Sequence, residues 1–242
     1  MTALQAAGRL ADDLAGIFGA RLRAVLVYGT HARPHPRTVQ AAIQTLALVE
    51  RLEYADLSGA ADKAARWQAI GLDMPLLLPE YEFRNSLDAF PLEYGDILAH
   101  HIVIRGESPF SGLSVAPEDL RRACEVKIRA HVIHLREGFL LTGQRPRAVA
   151  DLVLASAGPF ASLLETFARV SGAPPQTPPD AQAAHVNRVT GLDRALIARL
   201  LALEEDQRLD DAEAVTLYPA YLDLAQDLVR LIDGWRVEAT HA

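Results

Sequence analysis

The chain has 242 residues, half of them apolar, and a formal net charge of -7. A chain of this length and apolar content can bury one large core or two smaller ones. Its acidic balance argues against a general affinity for nucleic acid, which usually requires a basic surface. The single cysteine, Cys124, excludes an intramolecular disulfide and a cysteine-rich zinc site, so a reducing compartment is expected.

The N-terminal segment predicts an amphipathic helix. From Leu4 to Phe18 apolar residues recur near the helical period, and the segment ends at Gly19. Acids and arginines interrupt it, so it lacks the apolar region of a signal peptide. No apolar stretch elsewhere approaches the ~20 residues that span a bilayer. We therefore expect a cytoplasmic protein without a membrane segment.

Short apolar runs in the first half predict strands that alternate with helices. A helix is expected over Ala60–Gly71, and strands are expected at Ala24–Tyr28, Ile43–Leu52, Pro75–Pro79, Phe90–Ile97 and Ile102–Arg105. This order predicts an α/β (α+β) domain with a mixed sheet over residues 1–115.

From Pro117 onward the sequence predicts only helices. Pro117 suits the first turn of a helix that closes at Gly143, and Glu118 and Asp119 suit its positive end. The Pro-rich stretch 171–180 predicts a connection. Further helices are predicted over Arg147–Val170, Asp193–Glu204 and Ala212–Val237. Residues 116–242 are therefore predicted to form an all-α helical bundle domain.

The stretch VLVYGTHAR, from Val25 to Arg33, places a Gly-Thr turn directly after a predicted strand. With the runs FPLEYGDI, HIVIRGESPF and LRRACEVKIRAHVIHLREGFL, it resembles the nucleotidyltransferase superfamily of the polymerase beta type. The resemblance is to a bacterial nucleotidyltransferase-like family with a helical C-terminal half, and it covers roughly residues 1–142. In that superfamily a strand ends in a Gly-Ser turn, and the next strand carries two aspartates separated by one residue.

The resemblance implies a nucleotide-binding site at the turn. Gly29 and Thr30 take the Gly-Ser positions, where backbone N–H groups and a hydroxyl bind phosphate. Arg33 and Arg37, in the loop HARPHPR, would favour an anionic ligand. The alternative for this loop is a solvated basic segment stiffened by its two prolines.

The acids that this superfamily uses for metal-dependent transfer are missing from their expected positions. Two carboxylates on one strand face hold Mg²⁺, which neutralises the charge that develops as pyrophosphate leaves. Aligned from the turn, these positions are Gln44 and Leu46, and no acid occurs between Arg21 and Val49. The third carboxylate, on a neighbouring strand, best matches Glu93, with Asp96 as the second choice.

We therefore predict a degenerate nucleotidyltransferase-fold protein without metal-dependent transfer and without a cofactor. It is expected to bind a nucleotide or another anionic small molecule, or to regulate a partner. One alternative is an active, Mg²⁺-dependent enzyme that adenylylates an aminoglycoside or a protein through Glu93 or Asp96. Another is an interaction protein, as a homodimer or in a complex, that acts through its helical half. No nucleic-acid or membrane partner is expected.

Three arginines on the predicted long helix form a further pattern. Arg122, Arg129 and Arg136 recur every seven residues and so share one face. They either line a cleft between the two halves or belong to a solvent-facing, salt-bridged surface. Glu118 and Glu125, at pairing distances from these arginines, favour the second interpretation.

Other catalytic and metal-binding patterns are weak. The pairs His100 and His101, and His131 and His134, suggest a zinc site only in part, because no third ligand follows at a recognisable spacing. Core or boundary positions are the favoured interpretation. The sequence has no G-x-S-x-G nucleophile motif, and Cys124 falls within an apolar helical stripe.

Overall fold

A computed structural model describes residues 1–33, 42–174 and 177–234. The chain divides into two compact units, Met1–Val115 and Ala116–Ala242. The described strands all lie in the first unit, which confirms the predicted fold class of a mixed α/β domain followed by a helical part. In chain order the elements are α1 (Ala3–Phe18), β1 (Leu22–Tyr28), β2 (Gln44–Val49), α2 (Tyr54–Ala69), β3 (Leu76–Pro79), α3 (Glu80–Asn85), α4 (Pro91–Ala99), β4 (His101–Gly106), α5 (Pro117–Thr142), α6 (Pro146–Val170), α7 (Pro179–Thr190), α8 (Arg194–Asp206) and α9 (Asp211–Gly234).

The sheet of the first unit has the strand order β3-β2-β1-β4. Its central strand β1 is antiparallel to both β2 and β4, whereas β2 and β3 are parallel. The strands are apolar because both faces of the sheet are covered. The sequence pattern predicts all four strands, β1 to β4, for this reason.

Each sheet face packs on its own apolar cluster. On one face, Val25 and Val27 of β1 pack with Leu10 of α1 and Trp67 of α2. On the other face, residues of β1 and β2 pack with side chains from α3, α4 and the segment after β4. This second cluster, called the aromatic cluster below, comprises Leu26, Leu46, Leu48, Phe83, Tyr94, Ile97 and Phe110.

The prediction of a strand over Phe90–Ile97 is wrong, because α4 begins here. Pro91 takes the first helical position, where its missing N–H is not needed. The backbone N–H of Tyr94 donates to the carbonyl of Phe90 at 2.9 Å. Pro91, Tyr94 and Ile97 are buried at a spacing of three residues, which is the spacing of one helix face.

The helix α6 forms the centre of the second unit, packing against α5, α8 and α9. By length and composition α6 could cross a membrane, with a mean hydropathy of 1.4 over an 18-residue window. This corrects the expectation that no apolar stretch reaches that length. The side of α6 that carries Phe160, Leu164 and Phe167 is buried in this unit, so its apolar composition serves the unit's core.

The helix α7 is not predicted from sequence, because prolines crowd its start. Pro178 and Pro179 lie at the positions where a helix tolerates proline, and α7 runs on to Thr190. Its His185 is buried, and its Nε2 lies 3.0 Å from the hydroxyl oxygen of Ser171 at the end of α6. This contact ties α7 to the preceding helix.

A polar group lies in the core of the second unit. The Nε2 atom of His131 lies 2.7 Å from the hydroxyl of Tyr221, which donates to the carbonyl of Ser156 at 3.3 Å. The imidazole of His131 also stacks on Phe160, with ring centroids 5.2 Å apart. Burial lowers the pKa of His131 to about 4. His131 is therefore a core residue, as favoured, whereas His134 is exposed.

The buried His131 makes stability depend on pH. In the unfolded chain its pKa is about 6.5, so acidification protonates the unfolded state first, and the stability that is full above pH 6.5 is lost toward pH 4. We expect the wild type to lose about 3 kcal/mol more than His131→Gln over this range. Urea unfolding of both proteins at several pH values measures the difference. Parallel pH profiles for the two proteins would contradict the prediction.

Position 106, at the end of β4, requires a glycine because no side chain fits there. Its φ is +82°, and a Cβ would overlap the backbone carbonyl oxygen of Arg23 on β1. Gly112 has a similar φ of +73° but open space around it. We expect Gly112→Ala to cost about 1–2 kcal/mol from backbone strain, and Gly106→Ala roughly 3 kcal/mol or more. Chemical denaturation tests this, and equal costs would show that the contact with Arg23 is unimportant.

Candidate functional site

The candidate site lies at the end of the sheet where β1 gives way to the Gly-Thr turn. Tyr28, the last residue of β1, is opposite Gln44 of β2 on one side and His101 of β4 on the other. These three residues therefore form a row across the sheet end. The chain continues from Tyr28 into a short 3₁₀ turn over Gly29–Ala32.

Gly29 allows a close contact at this turn. It is buried, its φ is +67°, and a Cβ would overlap the side-chain carbonyl oxygen of Gln44. The side chain of Gln44 thus lies over the turn, although Gln44 is exposed to solvent overall. The backbone N–H of Arg33 donates to the carbonyl of Thr30 at 3.4 Å and closes the turn.

Arg33 follows the turn and binds a carboxylate of α4. Its Nη2 donates to Oδ1 of Asp96 at 2.8 Å, and Nδ1 of His100 lies 3.0 Å from the same oxygen. The side chain of Arg33 is 17% exposed and that of His100 is 2% exposed. The bond from Arg33 to Asp96 is charge-assisted, a stronger kind of hydrogen bond, and it fixes α4 beside the turn, whereas the contact of His100 with Asp96 is local to the end of α4.

Asp73 is a further acidic residue near this site that sequence reasoning does not single out. Burial raises the pKa of Tyr28, and the carboxylates of Asp73 and Asp96 add to this increase together with Tyr94. Asp73 is exposed, just before β3, and its N–H donates to the carbonyl of Ile43 at 3.0 Å. Its position directly before the apolar run of β3 is the signal that could have identified it.

The two expected aspartate positions differ in their surroundings. Gln44 is exposed at the start of β2, whereas Leu46 is fully buried in the aromatic cluster. The ring of Phe83 in this cluster stacks on Tyr94, with centroids 4.5 Å apart. Hydrocarbon therefore surrounds position 46, and no oxygen ligand is provided there by β2.

The two acids proposed for catalysis do not lie on a strand. Glu93 and Asp96 both belong to α4, because the segment that carries them is helical. Glu93 is exposed in the first turn of α4, and Asp96 is held by Arg33 and His100. The expectation of a third carboxylate on a neighbouring strand is thus wrong for both residues.

The four predicted phosphate-binding residues are only partly brought together. Gly29, Thr30 and Arg33 lie within one turn, and Arg33 reaches away from it to Asp96. Arg37 lies outside the described residues. The basic character of the turn is therefore partly offset by the carboxylate of Asp96.

The pair His100 and His101 and the three arginines that share one face of α5, here called the arginine row, form hydrogen bonds or ion pairs with neighbouring residues. His101 lies 3.0 Å from the carbonyl of Ile97 through Nδ1, and its ring contacts Phe110 edge-on. On α5, Arg129 pairs with Glu125 at 3.1 Å and with Asp233 at 2.8 Å. The other two arginines of the row, Arg122 and Arg136, bond to Asp119 and Gln226 respectively. Arg122 and Arg129 are thus salt-bridged, as favoured, but Glu118 pairs with Arg121 and not with Arg122, and Arg136 bonds to a neutral amide.

Comparisons with known proteins identify the fold. No family model matches the chain, and no curated protein matches it. Among solved structures, it is similar to a spectinomycin adenyltransferase from Enterococcus faecialis, determined with ATP and spectinomycin. The TM-score is 0.53 at 9% sequence identity, over 93% of this chain and 98% of the other. At this identity the likeness shows the fold alone, which is nucleotidyltransferase-like.

Because Gln44 is exposed and Leu46 is buried, an introduced acid should change the stability of the protein little at position 44 and strongly at position 46. Leu46→Asp would bury a carboxylate in the aromatic cluster, so we expect it to destabilise the protein by more than Leu46→Ala, which should cost about 2–5 kcal/mol. Gln44→Asp, at the exposed end of the same strand, should change stability by less than about 1 kcal/mol. Urea unfolding measures all three variants. A well-tolerated Leu46→Asp would mean that position 46 can accept an acid.

Proposed function

We propose that this chain is a nucleotidyltransferase-fold protein that binds a nucleotide or another anionic small molecule without metal-dependent transfer. The observation that carries the proposal is the burial of Leu46 in the aromatic cluster, at the position where a metal-binding aspartate would stand. A divalent metal needs several oxygen ligands, and β2 offers only the amide of Gln44 there. The protein would then act as a binding or regulatory component.

The proposed location of the ligand is the turn after β1. Backbone N–H groups of the segment from Gly29 onward and the hydroxyl of Thr30 are the groups available to a phosphate. Arg33 adds a cationic donor and His31 an imidazole in the same segment, and no acid lies between Arg21 and Val49. Arg33 would share its guanidinium between Asp96 and the ligand, since it carries five N–H donors.

An active adenylyltransferase is the second candidate. The observation that favours it is the fold likeness to an enzyme determined with ATP and spectinomycin. Such an activity would require Mg²⁺ held by acids outside β2, with Asp96, Glu93 and Asp73 as the available carboxylates. Asp96 would have to exchange its bonds to Arg33 and His100 for the metal.

A thermal-shift titration with ATP, GTP, CTP and UTP, each with and without Mg²⁺, tests the proposal. A ligand that binds only the folded state raises the melting temperature by an amount that grows with the logarithm of its concentration once that exceeds the Kd. We expect at least one nucleotide to raise the melting temperature equally with and without Mg²⁺. A shift that strictly requires Mg²⁺ would support the enzyme, and no shift with any nucleotide would contradict nucleotide binding.

Thr30→Val gives a sharper test of the location. It removes the hydroxyl and keeps the branched shape, so the apparent affinity should fall about tenfold. Thr216→Val, on the exposed surface of α9, is the matched control and should leave the affinity unchanged. Equal affinities for the two variants would place the ligand elsewhere.

A further inference from the structure

A groove runs between α5 and α9 of the second unit. Its volume is about 370 Å³, which lies in the range of pockets that hold small molecules. The helix α5 contributes Arg129, Val132, Ile133 and Arg136, and α9 contributes Gln226, Val229 and Arg230. On each helix these residues are three or four positions apart, so one face of each helix forms a wall of the groove.

Hydrogen bonds between the two helices hold both ends of the groove. The Nη2 atom of Arg129 donates to Oδ1 of Asp233 at 2.8 Å, and Nη2 of Arg136 donates to Oε1 of Gln226 at 2.8 Å. The two arginines are seven residues apart, which is about 10 Å along α5 at 1.5 Å per residue. The two bonds therefore fix the width of the groove at points about two helical turns apart.

The apolar residues of the groove leave hydrocarbon accessible to a ligand. Val132 is buried, Val229 is partly buried, and Ile133 is 51% exposed. An apolar chain placed in the groove would remove part of this surface from water, which is favourable. Single exposed apolar residues are ordinary in proteins, so the hydrocarbon alone does not identify a ligand. The charged residues beside it carry that information.

The charged residues that line the groove are all cationic. They are Arg129, Arg136 and Arg230, and none of the lining residues in the described part of the chain carries a carboxylate. The chain as a whole has the opposite balance, with a formal net charge of -7. A lining of this sign favours an anionic ligand over a neutral or cationic one.

Arg136 differs from the other two arginines in its partner. Arg129 is paired with two acids and Arg230 with one. Within the described residues, Arg136 bonds only to the neutral amide of Gln226, and the nearby Asp223 accepts from the nitrogen of that amide at 3.4 Å. The bond to Gln226 uses one of the five N–H donors of the guanidinium. The other donors are available to bind a carboxylate through both of its oxygens.

We propose that this groove binds a small amphipathic carboxylate, with the carboxylate on Arg136 and an apolar chain along Ile133 and Val229. A cation without an acidic partner selects the anionic group. The adjoining hydrocarbon selects the apolar chain. All of these residues belong to the second unit, so the proposal does not depend on the candidate site at the Gly29 turn.

Isothermal titration calorimetry of the full chain with octanoate, octanol and acetate tests the chemistry of the ligand. A hydrogen bond to a charged group contributes more than a neutral one, so octanoate should bind about tenfold more tightly than octanol. Acetate has no apolar chain and should show no measurable binding. Octanoate that binds no more tightly than octanol, or the absence of binding by both, would overturn the proposal.

Arg136→Gln tests the location of the carboxylate. This variant should lose the tenfold preference for octanoate and keep the wild-type affinity for octanol. Arg122→Gln is the matched control, because Arg122 lies on the same helix outside the groove, where it pairs with Asp119. It should retain the preference. A preference that survives in Arg136→Gln would overturn the proposed site.

Ile133→Ser tests the location of the apolar chain. It should weaken octanoate and octanol alike, because both chains would lose the same hydrocarbon contact. Ile133 is half-exposed, so the fold should tolerate the change, and a thermal melt without ligand checks this. Unchanged affinities would place the chain elsewhere and overturn the proposal. Binding of the wild type to anionic lipid vesicles but not to free octanoate would also overturn it, in favour of a membrane surface.

Discussion

Burial of both faces of the four-stranded sheet constrains everything else in the first unit. Side chains of β1 alternate between the α1 and α2 cluster and the aromatic cluster, and neither environment tolerates an unpaired charge. Polar side chains are therefore placed at the two ends of the sheet, and at one end Tyr28, Gln44 and His101 form a row beside the Gly29 turn. Burial limits the candidate site to a sheet end, and the Gly29 turn marks which end it is.

The contact between Arg33 and Asp96 gives this sheet end its particular character. It joins the turn after β1 to α4, two segments 63 residues apart. A guanidinium that already holds a carboxylate can contact an anionic ligand without being left unpaired when the site is empty. The same contact engages the carboxylate of Asp96, which a metal would need as a ligand. The proposed anion binding keeps Asp96 bonded to Arg33, whereas metal-dependent transfer would require Asp96 to release Arg33.

The sequence predicts the parts of this fold that depend on local patterns. The four strands are short, nearly continuous apolar runs, the long helices show the helical period, and Gly29 marks the turn. The segment Phe90–Ile97 is interpreted wrongly because a short apolar run with one proline fits a strand as well as a helix. The Arg33–Asp96 pair and the approach of Asp73 to Tyr28 depend on tertiary packing, which no local pattern contains.

A fold alone also does not define an activity, so the likeness to an adenyltransferase leaves the chemistry to be decided at the site.

The most direct measurement is pyrophosphate release by the purified chain with ATP, in the presence of Mg²⁺ and a panel of aminoglycosides including spectinomycin. Release would require Mg²⁺, held by carboxylates, to neutralise the charge that develops on the leaving pyrophosphate. Because Leu46 is buried in hydrocarbon where such a carboxylate would stand, we expect no release above the rate without protein. Mg²⁺-dependent release that disappears in Glu93→Ala or Asp96→Ala would contradict the proposed loss of transfer and identify an active enzyme.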